Sequence, residues 1–265
     1  MTKRCLIVAC LVLMGTTATP AAPSQDDALD VGVQLSHITY KEPGIMKQTG
    51  FMYGMLLSYT LRKELMVKFD GLLTFGQMKY EGSTWGGTPL TVTGINDNMF
   101  ELRAVFGPAD PLSDTVAVIP YIGLGYRYLY DGANNSPGGY RRESNYLYLP
   151  IGIESPSSSR TGWTVGFTLE YDLFLRGRQV SYLSDSDAGF NDIENSQSSG
   201  YGVRGSLRFV RSGRNTVVLE PFVKYWNIAE SDAVPLTYYG APTIYDIYEP
   251  ENNSTEIGVR CMLRF

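Results

Sequence analysis

The sequence is poor in the residues that most catalytic and metal sites need. It contains one histidine, His37, and three cysteines among 265 residues. Cys5 and Cys10 lie in the first ten residues, so only Cys261 remains beyond them. One cysteine cannot form an internal disulfide, and the chain must therefore be stabilised by packing and hydrogen bonds.

The sequence also has no long apolar run. A membrane-spanning helix needs about 20 mostly apolar residues, whereas the apolar segment near the start, Cys5–Gly15, has eleven. The basic Lys3 and Arg4 precede this segment, and the small residues of Thr16–Ala22 follow it. A basic start, a short apolar segment and a small-residue region are the three parts of a secretory signal peptide.

The start of the chain therefore predicts export. We predict a signal peptide over Met1–Ala22 and a single domain over Pro23–Phe265, with a retained membrane anchor as the alternative. Cleavage after Ala18, Ala21 or Ala22 fits the small residues of this region. The exported part then keeps 20 basic and 27 acidic residues, and this acidic balance argues against a nucleic-acid partner.

Charge is sparse in this chain and tyrosine is abundant. Charged residues make up 18%, beside 19 Tyr and 28 Gly. A soluble β protein of this length would carry more Lys and Glu on its exposed face. Membrane barrels instead use tyrosine in girdles at the membrane surfaces and glycine where strands bend.

Apolar residues alternate with other residues from Leu29 to the end of the chain, which indicates β-strands. Ten segments show this pattern, and we predict a strand for each: Leu29–Tyr40, Gly50–Leu61, Leu65–Tyr80, Asn98–Gly107, Val116–Tyr130, Asn145–Glu154, Trp163–Arg176, Gly200–Arg211, Thr216–Ile228 and Ser254–Phe265.

The alternation is clearest in the seventh segment. Its apolar face carries Trp163, Val165, Phe167, Leu169, Tyr171, Leu173 and Leu175. Its other face carries Thr164, Gly166, Thr168, Glu170, Asp172, Phe174 and Arg176. Turning the mixed face inward gives a barrel that is apolar outside and polar inside.

The connections between the ten segments alternate in length. The short ones are Arg62–Glu64, Pro108–Thr115, Ser155–Gly162 and Ser212–Asn215. The long ones are Lys41–Thr49, Glu81–Asp97, Asp131–Ser144, Gly177–Ser199 and Ala229–Asn253. This order is typical of a barrel with short periplasmic turns and long extracellular loops.

Together these patterns predict an all-β fold: a transmembrane antiparallel up-and-down β-barrel of ten strands, with eight or twelve strands as alternatives. Twelve extended residues tilted by about 45° rise roughly 28 Å, enough to cross the apolar layer. An even strand number puts both termini in the periplasm. The predicted location is the outer membrane of a Gram-negative bacterium.

Three stretches carry a family resemblance. Pro120–Tyr128 (PYIGLGYRY), Leu149–Ile153 (LPIGI) and the alternating end with Phe265 resemble the small Gram-negative outer-membrane β-barrel superfamily. That superfamily includes OmpA-type, opacity-type and ten-stranded omptin or adhesin-like barrels. The resemblance implies that the assembly machinery for such barrels reads the last strand. In this chain the signal would comprise Ile257, Val259, Cys261, Leu263 and Phe265.

Charged residues of both signs fall on the inward face of the predicted strands. The acidic ones include Asp70, Glu101, Glu170, Asp172 and Glu220, beside Asp30, Glu154 and Glu256. The basic ones include Lys68, Arg103, Arg127, Arg204, Arg208, Lys224 and Arg260, beside Arg176 and Arg264. Buried charges are costly unless paired, so we predict a salt-bridged lumen network, with a narrow water or ion path as the alternative.

An enzymatic site finds little support in the pattern. Lipid A deacylases and omptin proteases of this superfamily both use a histidine beside an acid, and no His-x-Asp occurs here. In the first predicted strand His37 falls on the same outward face as Leu29, Val31, Val33 and Leu35, so no catalytic residue is predicted. Asp185 and Asp187 belong to an acidic segment whose spacing departs from the helix-loop-helix calcium pattern. No metal or other cofactor is predicted.

The last long connection is rich in tyrosine. Tyr238, Tyr239, Tyr245 and Tyr248 lie there beside acidic residues. Exposed tyrosines suit recognition because a rigid amphipathic ring loses little entropy on contact. They equally suit an outer girdle or strand extensions above the membrane.

The function predicted from these features is that of a structural or surface-recognition (adhesin-like) barrel with a charge-filled lumen. The alternatives are a narrow channel for ions or small solutes and a surface hydrolase of omptin or lipid A deacylase type. The expected partners are outer-membrane lipid and lipopolysaccharide, the barrel assembly machinery and an extracellular ligand.

Overall fold

The computed structural model describes residues 27–84, 86–112, 118–136, 138–155 and 162–265. The predicted signal peptide, Met1–Ala22, lies outside the described residues. Within them, no helix combines the length and the apolar character needed to cross a membrane.

Ten long strands form the body of the fold. They are β1 (Ala28–Glu42), β2 (Met46–Arg62), β3 (Leu65–Ser83), β4 (Pro89–Pro108), β5 (Ile119–Gly132), β6 (Arg141–Glu154), β7 (Gly162–Ser181), β9 (Gly200–Ser212), β10 (Thr216–Ile228) and β13 (Asn252–Arg264). Three short strands, β8 (Ile193–Gln197), β11 (Val234–Tyr238) and β12 (Ala241–Ile247), lie in the long connections. Single 3-10 turns occur at Ala133–Asn135 and Leu183–Asp185.

The ten long strands close into an antiparallel barrel. Each pairs with its neighbours in the order β6-β5-β4-β3-β2-β1-β13-β10-β9-β7, and β7 pairs back onto β6. The first and last strands meet along a continuous register from Asp30↔Arg264 to Lys41↔Asn253. The N–H of Leu29 donates to the carbonyl of Phe265 at 3.0 Å, and the reverse bond is 2.9 Å. The predicted ten-stranded barrel is confirmed.

The outer surface is the apolar one. Phe51, Met55 and Val165 are among its side chains, each more than half exposed. Tyr201 lies between Tyr171 and Tyr225 on this surface, with ring centroids 6.1 Å apart on both sides. Such a surface suits lipid, and stacked tyrosines are typical of the girdle at a membrane–water interface.

The extracellular ends of the strands extend further than the sequence predicts. Lys41–Thr49 was expected to be a long loop, yet β1 and β2 leave only the turn at residues 43–45, where Gly44 has φ +79°. Most of Glu81–Asp97 likewise continues β3 and β4. Strand pairing above the membrane satisfies the backbone donors and acceptors that an irregular loop would leave to water.

A β-bulge in β7 reverses the parity that the sequence predicts for Arg176. Leu147 of β6 pairs with Arg176, whereas Tyr148 pairs with Phe174, so Leu175 is the extra residue. Beyond the bulge, Gln179 is buried in the barrel and Arg176 is exposed. The inward placement predicted for Arg176 is therefore wrong, because a bulge shifts the alternation by one residue.

The lumen is less uniformly polar than the sequence suggests. Residues of β1–β4, β9, β10 and β13 form an apolar cluster that includes Met52, Met78, Met99 and Met262. Methionine is flexible and polarisable, so it fills irregular gaps between layers of different shape. The barrel interior therefore combines apolar clusters with charged groups, often on the same strands.

Candidate functional site

Two regions of the barrel concentrate polar chemistry. One is the lumen at the level of the membrane. The other is the extracellular end, where loop L4 (residues 182–199) and loop L5 (residues 229–251) lie; we call these two loops together the cap. The lumen is described first, from the periplasmic end upward.

The periplasmic end of the lumen holds Asp30 and Glu154. Asp30 is 1% exposed and pairs with Arg264 at 2.7 Å and with Arg208 at 2.6 Å. Glu154 pairs with Arg62 and, at 3.3 Å, with Lys68. Each of these buried carboxylates thus has two cationic partners, which is what a carboxylate needs to stay ionised inside a barrel.

The middle of the lumen centres on Arg204. Its guanidinium lies 2.9 Å from Glu101, 2.8 Å from Glu170 and 2.8 Å from Asp172. The Tyr148 hydroxyl, fully buried, donates to Glu101 at 2.7 Å. A planar guanidinium can serve several carboxylates at once, so Arg204 joins β4, β7 and β9 across the lumen.

Further pairs surround Arg204. Arg103 bridges Asp70, at 3.2 Å, and Glu170. Lys224 lies 3.1 Å from Glu101 and 3.7 Å from Glu256. These contacts bring charged residues from β3, β4, β7, β10 and β13 into the same network.

Glu220 connects the middle of the lumen to its periplasmic end. Arg260 lies 2.7 Å from Glu220, and Arg208 lies 3.4 Å from it. Gln34 accepts a hydrogen bond from Arg260 at 2.9 Å and donates one to Glu256 at 2.8 Å. Gln34 was not among the predicted site residues, although its inward parity on β1 could have indicated it.

Arg127 was also predicted to belong to the salt-bridged lumen network, but its contacts are not with carboxylates. It donates to the sulfur of Met99 at 3.4 Å and lies 5.5 Å from the ring centroid of Trp226. No ion pair of Arg127 occurs among the described residues. The lone charge is instead held against an aromatic ring, a contact that stabilises a cation through the π-electrons.

Small cavities remain in the lumen, and two of them are lined by different residues. The first, of about 80 Å³, is lined by charged groups such as Asp70, Arg103 and Lys224. The second, of about 50 Å³, lies nearer the extracellular end beside Asp97 and Asp131. The two cavities share no lining residue. The lumen also holds a buried aromatic cluster of Tyr146, Tyr148, Phe174 and Trp226, with Ile228.

The extracellular end of the lumen closes around Arg142. Its guanidinium lies 2.7 Å from Glu42, 3.0 Å from Asp131 and 3.8 Å from Glu249, which belongs to L5. The Tyr40 hydroxyl lies 3.1 Å from both Glu42 and Glu249. This arrangement ties L5 to the barrel strands β1, β5 and β6.

Three carboxylates around one guanidinium leave an excess of negative charge. Burial raises the pKa of Glu249 to about 7; nearby Glu42 and Asp131 raise it as well, whereas Arg142 and the Tyr40 hydrogen bond lower it. We therefore expect the contact between L5 and the barrel to depend on pH.

The cap has a small core of its own. Leu183, Ile193 and Leu236 are each at most 2% exposed and form one cluster with partly buried neighbours that include Tyr140 and Phe190. The Asn195 amide donates to the carbonyls of Asp232 at 2.9 Å and Ile247 at 3.0 Å. L4 and L5 thus pack as one layered unit above the barrel.

The predicted recognition tyrosines lie on this cap. Tyr239 is 77% exposed and Tyr245 is 63% exposed, whereas Tyr238 and Tyr248 are exposed to a lesser degree. Tyr238 packs edge-on against Tyr239 at 4.7 Å and contacts Phe190 at 5.1 Å. The structure therefore places three of the rings around the β11–β12 hairpin, and Tyr248 directly after it.

His37 lies on the outer surface of the barrel. Its ring packs edge-on against Phe51, with centroids 5.1 Å apart. No hydrogen bond or ion pair joins it to an acid within the described part of the chain. The hydrolase hypothesis needs a histidine beside an acid in a cleft, and this histidine faces away from the lumen.

The acidic segment in L4 uses its oxygens within the protein. Asp185 accepts hydrogen bonds from Arg141 at 2.7 and 3.0 Å. These bonds hold the pKa of Asp185 below its usual range. Asp187 accepts a bond from the Gly189 N–H at 2.8 Å. Among the described residues, no group of three or more His, Cys, Asp or Glu side chains is suited to a metal ion.

The final strand presents the predicted assembly residues on the barrel's outer face. Ile257 is 61% exposed and Phe265 63% exposed, with Val259 and Leu263 between them on the same face. Cys261 is half-buried on that face, opposite Val33 and Leu219. These side chains lie against β1 and β10, whose neighbouring residues are also apolar except for His37, which is paired with Ile257.

A closed antiparallel barrel of ten strands with an apolar outer surface defines an integral outer-membrane protein. The family description "outer membrane protein beta-barrel domain" matches residues 8–175, more than half of the chain. The chain therefore belongs to this family, and its location is the outer membrane of a Gram-negative bacterium.

Solved structures of outer-membrane barrels are similar to this chain. The outer membrane protease OmpT from Escherichia coli is similar over 95% of this chain and 99% of its own, with 10% identity and a TM-score of 0.51. The translocator domain of autotransporter NalP from Neisseria meningitidis has 12% identity over 90% and 88% of the two chains, with a TM-score of 0.42. Neisserial surface protein A has 11% identity over 90% and 99%, with a TM-score of 0.36. No curated protein matches this chain by sequence.

Proposed function

We propose that this protein is a non-conducting outer-membrane barrel whose cap recognises a ligand outside the cell. The barrel acts as a rigid anchor, and L4 with L5 acts as the recognition surface. The observation that carries the proposal is the contrast between the lumen, which is filled with paired charges, and the cap, which is folded and exposes large aromatic side chains.

The lumen supports the non-conducting part of the proposal. Arg204 and Arg103 share Glu170 across the barrel, and Lys224 pairs with Glu101 at the same level. An ion that crossed would have to break several buried pairs, each costly to separate. Barrels of eight to ten strands are narrow enough to be filled by their own side chains.

The cap supports the recognition part. A loop that served only to connect strands would have little reason to bury its own apolar core, as Leu183, Ile193 and Leu236 do. That core fixes the hairpin on which Tyr239 and Tyr245 are exposed. Pre-ordered aromatic side chains favour binding because less conformational entropy is lost on contact.

Recordings from planar bilayers test the closed lumen. The purified barrel is expected to give no steady conductance, and a variant with L4 and L5 trimmed to short turns is expected to stay equally silent. Steady conductance from the untrimmed protein would contradict the proposal. It would favour the narrow channel, which the two lumen cavities of about 80 and 50 Å³ make the second candidate.

An array of peptides, glycans and host matrix proteins tests recognition. Spots bound by the full barrel in nanodiscs, but not by the cap-trimmed variant, identify ligands of the cap. The trimmed variant is a matched control because its lipid-facing surface is unchanged. Equal binding by both proteins, or by neither, would contradict the proposal.

The proposal extends to assembly. Ile257, Val259 and Phe265 would be read by the barrel assembly machinery before the last strand pairs with β1. Phe265→Ala is expected to lower the amount of folded protein in the outer membrane while leaving refolding of the purified chain in detergent unchanged. Loss of both would show that Phe265 acts in folding itself.

A further inference from the structure

We propose that the cap binds an extended polypeptide rich in Lys and Arg, which adds as a strand to the free edge of β12. This inference rests on the proposed function, because it names the ligand class for the same surface. Three features carry it: the charge of the cap, the unpaired edge of β12 and the aromatic residues beside that edge.

The cap carries charge of one sign. L4 and L5 together contain no Lys or Arg, and their nine acidic residues are Asp185, Asp187, Asp192, Glu194, Glu230, Asp232, Asp246, Glu249 and Glu251. Such a field attracts cationic partners and raises their rate of association.

Three of the nine acids pair with arginines of the barrel strands. Asp185 pairs with Arg141 at 2.7 Å, Glu194 with Arg178 at 2.6 Å, and Glu249 lies 3.8 Å from Arg142. The other six make no ion pair within the described part of the chain. Asp246 is the one that lies on β12, where it is exposed. A cationic ligand would therefore find an uncompensated carboxylate on this strand.

β12 has a free edge. It pairs on one side with β11, in a sheet of two strands, and β11 is itself held to L4 by the Phe190↔Tyr238 bridge. Among the described residues no strand lies on the other side of Thr243–Ile247. Within this segment the Ile247 carbonyl already accepts from the Asn195 amide, and the Tyr245 N–H donates to the Thr243 hydroxyl. Alternate residues of an antiparallel strand turn their backbone groups away from the partner, so part of this segment can pair with an added strand, and Pro242, which lacks an N–H, ends the usable edge. An exposed strand edge is a template for an added strand.

The side chains along this edge suit a cationic strand. Ile244 is 91% exposed, Tyr245 63% and the neighbouring Tyr239 77%. Aromatic rings bind Lys and Arg through cation–π contacts, and Ile244 shares a face of the strand with Asp246. A polypeptide uses the backbone edge, the rings and the carboxylate together, whereas a metal ion would use only the carboxylate.

Binding of short peptides tests this inference. The barrel in nanodiscs is titrated with a ten-residue peptide of alternating Lys and Thr, with its Glu and Thr counterpart, and with a Lys and Thr peptide N-methylated on alternate backbone nitrogens. The first peptide is expected to bind at least tenfold more tightly than either of the others, because only it has both the charge and the free backbone donors. Similar affinities for all three would overturn the inference.

Paired variants separate a local site from general attraction. Asp246→Asn removes a free carboxylate on β12, and Glu194→Gln makes the same charge change at an acid that Arg178 already neutralises. We expect Asp246→Asn to weaken peptide binding about fivefold, and Glu194→Gln to weaken it less than about twofold. Equal effects would indicate diffuse attraction only and would overturn strand addition.

Amide hydrogen exchange supplies the structural readout. The bound Lys and Thr peptide is expected to slow exchange within Thr243–Ile247 and to leave the barrel strands unchanged. Protection of amides outside β12 would overturn the inference. So would competition by calcium, if calcium displaces the peptide without protecting any amide of β12. The array of peptides, glycans and matrix proteins distinguishes failure of this inference from failure of the proposed function. If an anionic or neutral ligand binds the full barrel but not the cap-trimmed variant, the proposed recognition function stands and only the cationic strand is refuted.

Discussion

Replacing Arg204 tests whether the lumen is held together by buried charges. Its side chain is 8% exposed and serves Glu101, Glu170 and Asp172. Arg204→Met keeps much of the volume and removes the charge. Glu101 then retains Lys224 and Glu170 retains Arg103, whereas Asp172 loses the cation that contacts it. Breaking a buried pair in this way costs about 3–5 kcal/mol.

A surface pair provides the matched control. Arg178 and Glu194 make an ion pair at 2.6 Å, but their side chains are 48% and 56% exposed. Exposed pairs contribute about 0–1 kcal/mol because water and salt screen them. Arg178→Met makes the same substitution in β7 and is therefore expected to change the free energy of unfolding by less than about 1 kcal/mol.

Equilibrium unfolding of the barrel in lipid vesicles measures both variants. Tryptophan fluorescence is a suitable signal because Trp226 packs edge-on against Tyr148 at 5.1 Å, close to Arg204. Adding Asp172→Asn to Arg204→Met is expected to recover part of the loss. If Arg204→Met costs no more than Arg178→Met, the lumen carboxylates are well solvated and the reasoning for a closed lumen is refuted.

Two further predictions concern the fit of the lumen and the docking of L5. A Cβ on Gly125 would lie 2.1 Å from the Tyr148 ring, so Gly125→Ala is expected to destabilise the barrel by about 1–3 kcal/mol. A Cβ on Gly205 would have its nearest contact at 3.5 Å, so Gly205→Ala should have little effect in the same unfolding assay. Glu249 has its pKa raised from 4.5 to about 7 when L5 is docked, so docked L5 binds a proton that undocked L5 releases. Docking of L5 is then strongest below about pH 4.5 and weakens by on the order of 3 kcal/mol as the pH rises to about 7. Amide hydrogen exchange of L5, corrected for the pH dependence of the intrinsic exchange rate, should be faster at pH 8 than at pH 5. Glu249→Gln should remove this difference.

The barrel strands are predictable from sequence because their pattern is local. β10 has the predicted bounds, Thr216–Ile228, and the observed β9 differs from the prediction by one residue. Each of these strands faces lipid on one side, so every second residue must be apolar. The alternation fails at Leu175 because of a β-bulge. A bulge depends on how β7 pairs with β6, and the sequence pattern of one strand does not contain that information.

The cap is not predictable in the same way. β8 and β11 have five residues each and β12 has seven, too few for a period-two pattern to stand out. Their stability comes from the contact of Leu183 and Ile193 with Leu236, which joins two loops that are distant in sequence. Composition does indicate the tyrosines and the acids of L5, but not the hairpin that arranges them.

Pairing inside the lumen depends on the closed geometry of the barrel. Arg103 and Glu170 are 67 residues apart in sequence, and Lys224 and Glu101 are 123 apart. Parity assigns such side chains to the inner face, whereas the curvature and stagger of the barrel decide which of them meet. A lumen with most of its charges already paired offers few free groups to a solute. Six carboxylates of L4 and L5 make no ion pair among the described residues, and the search for a ligand should begin at these loops.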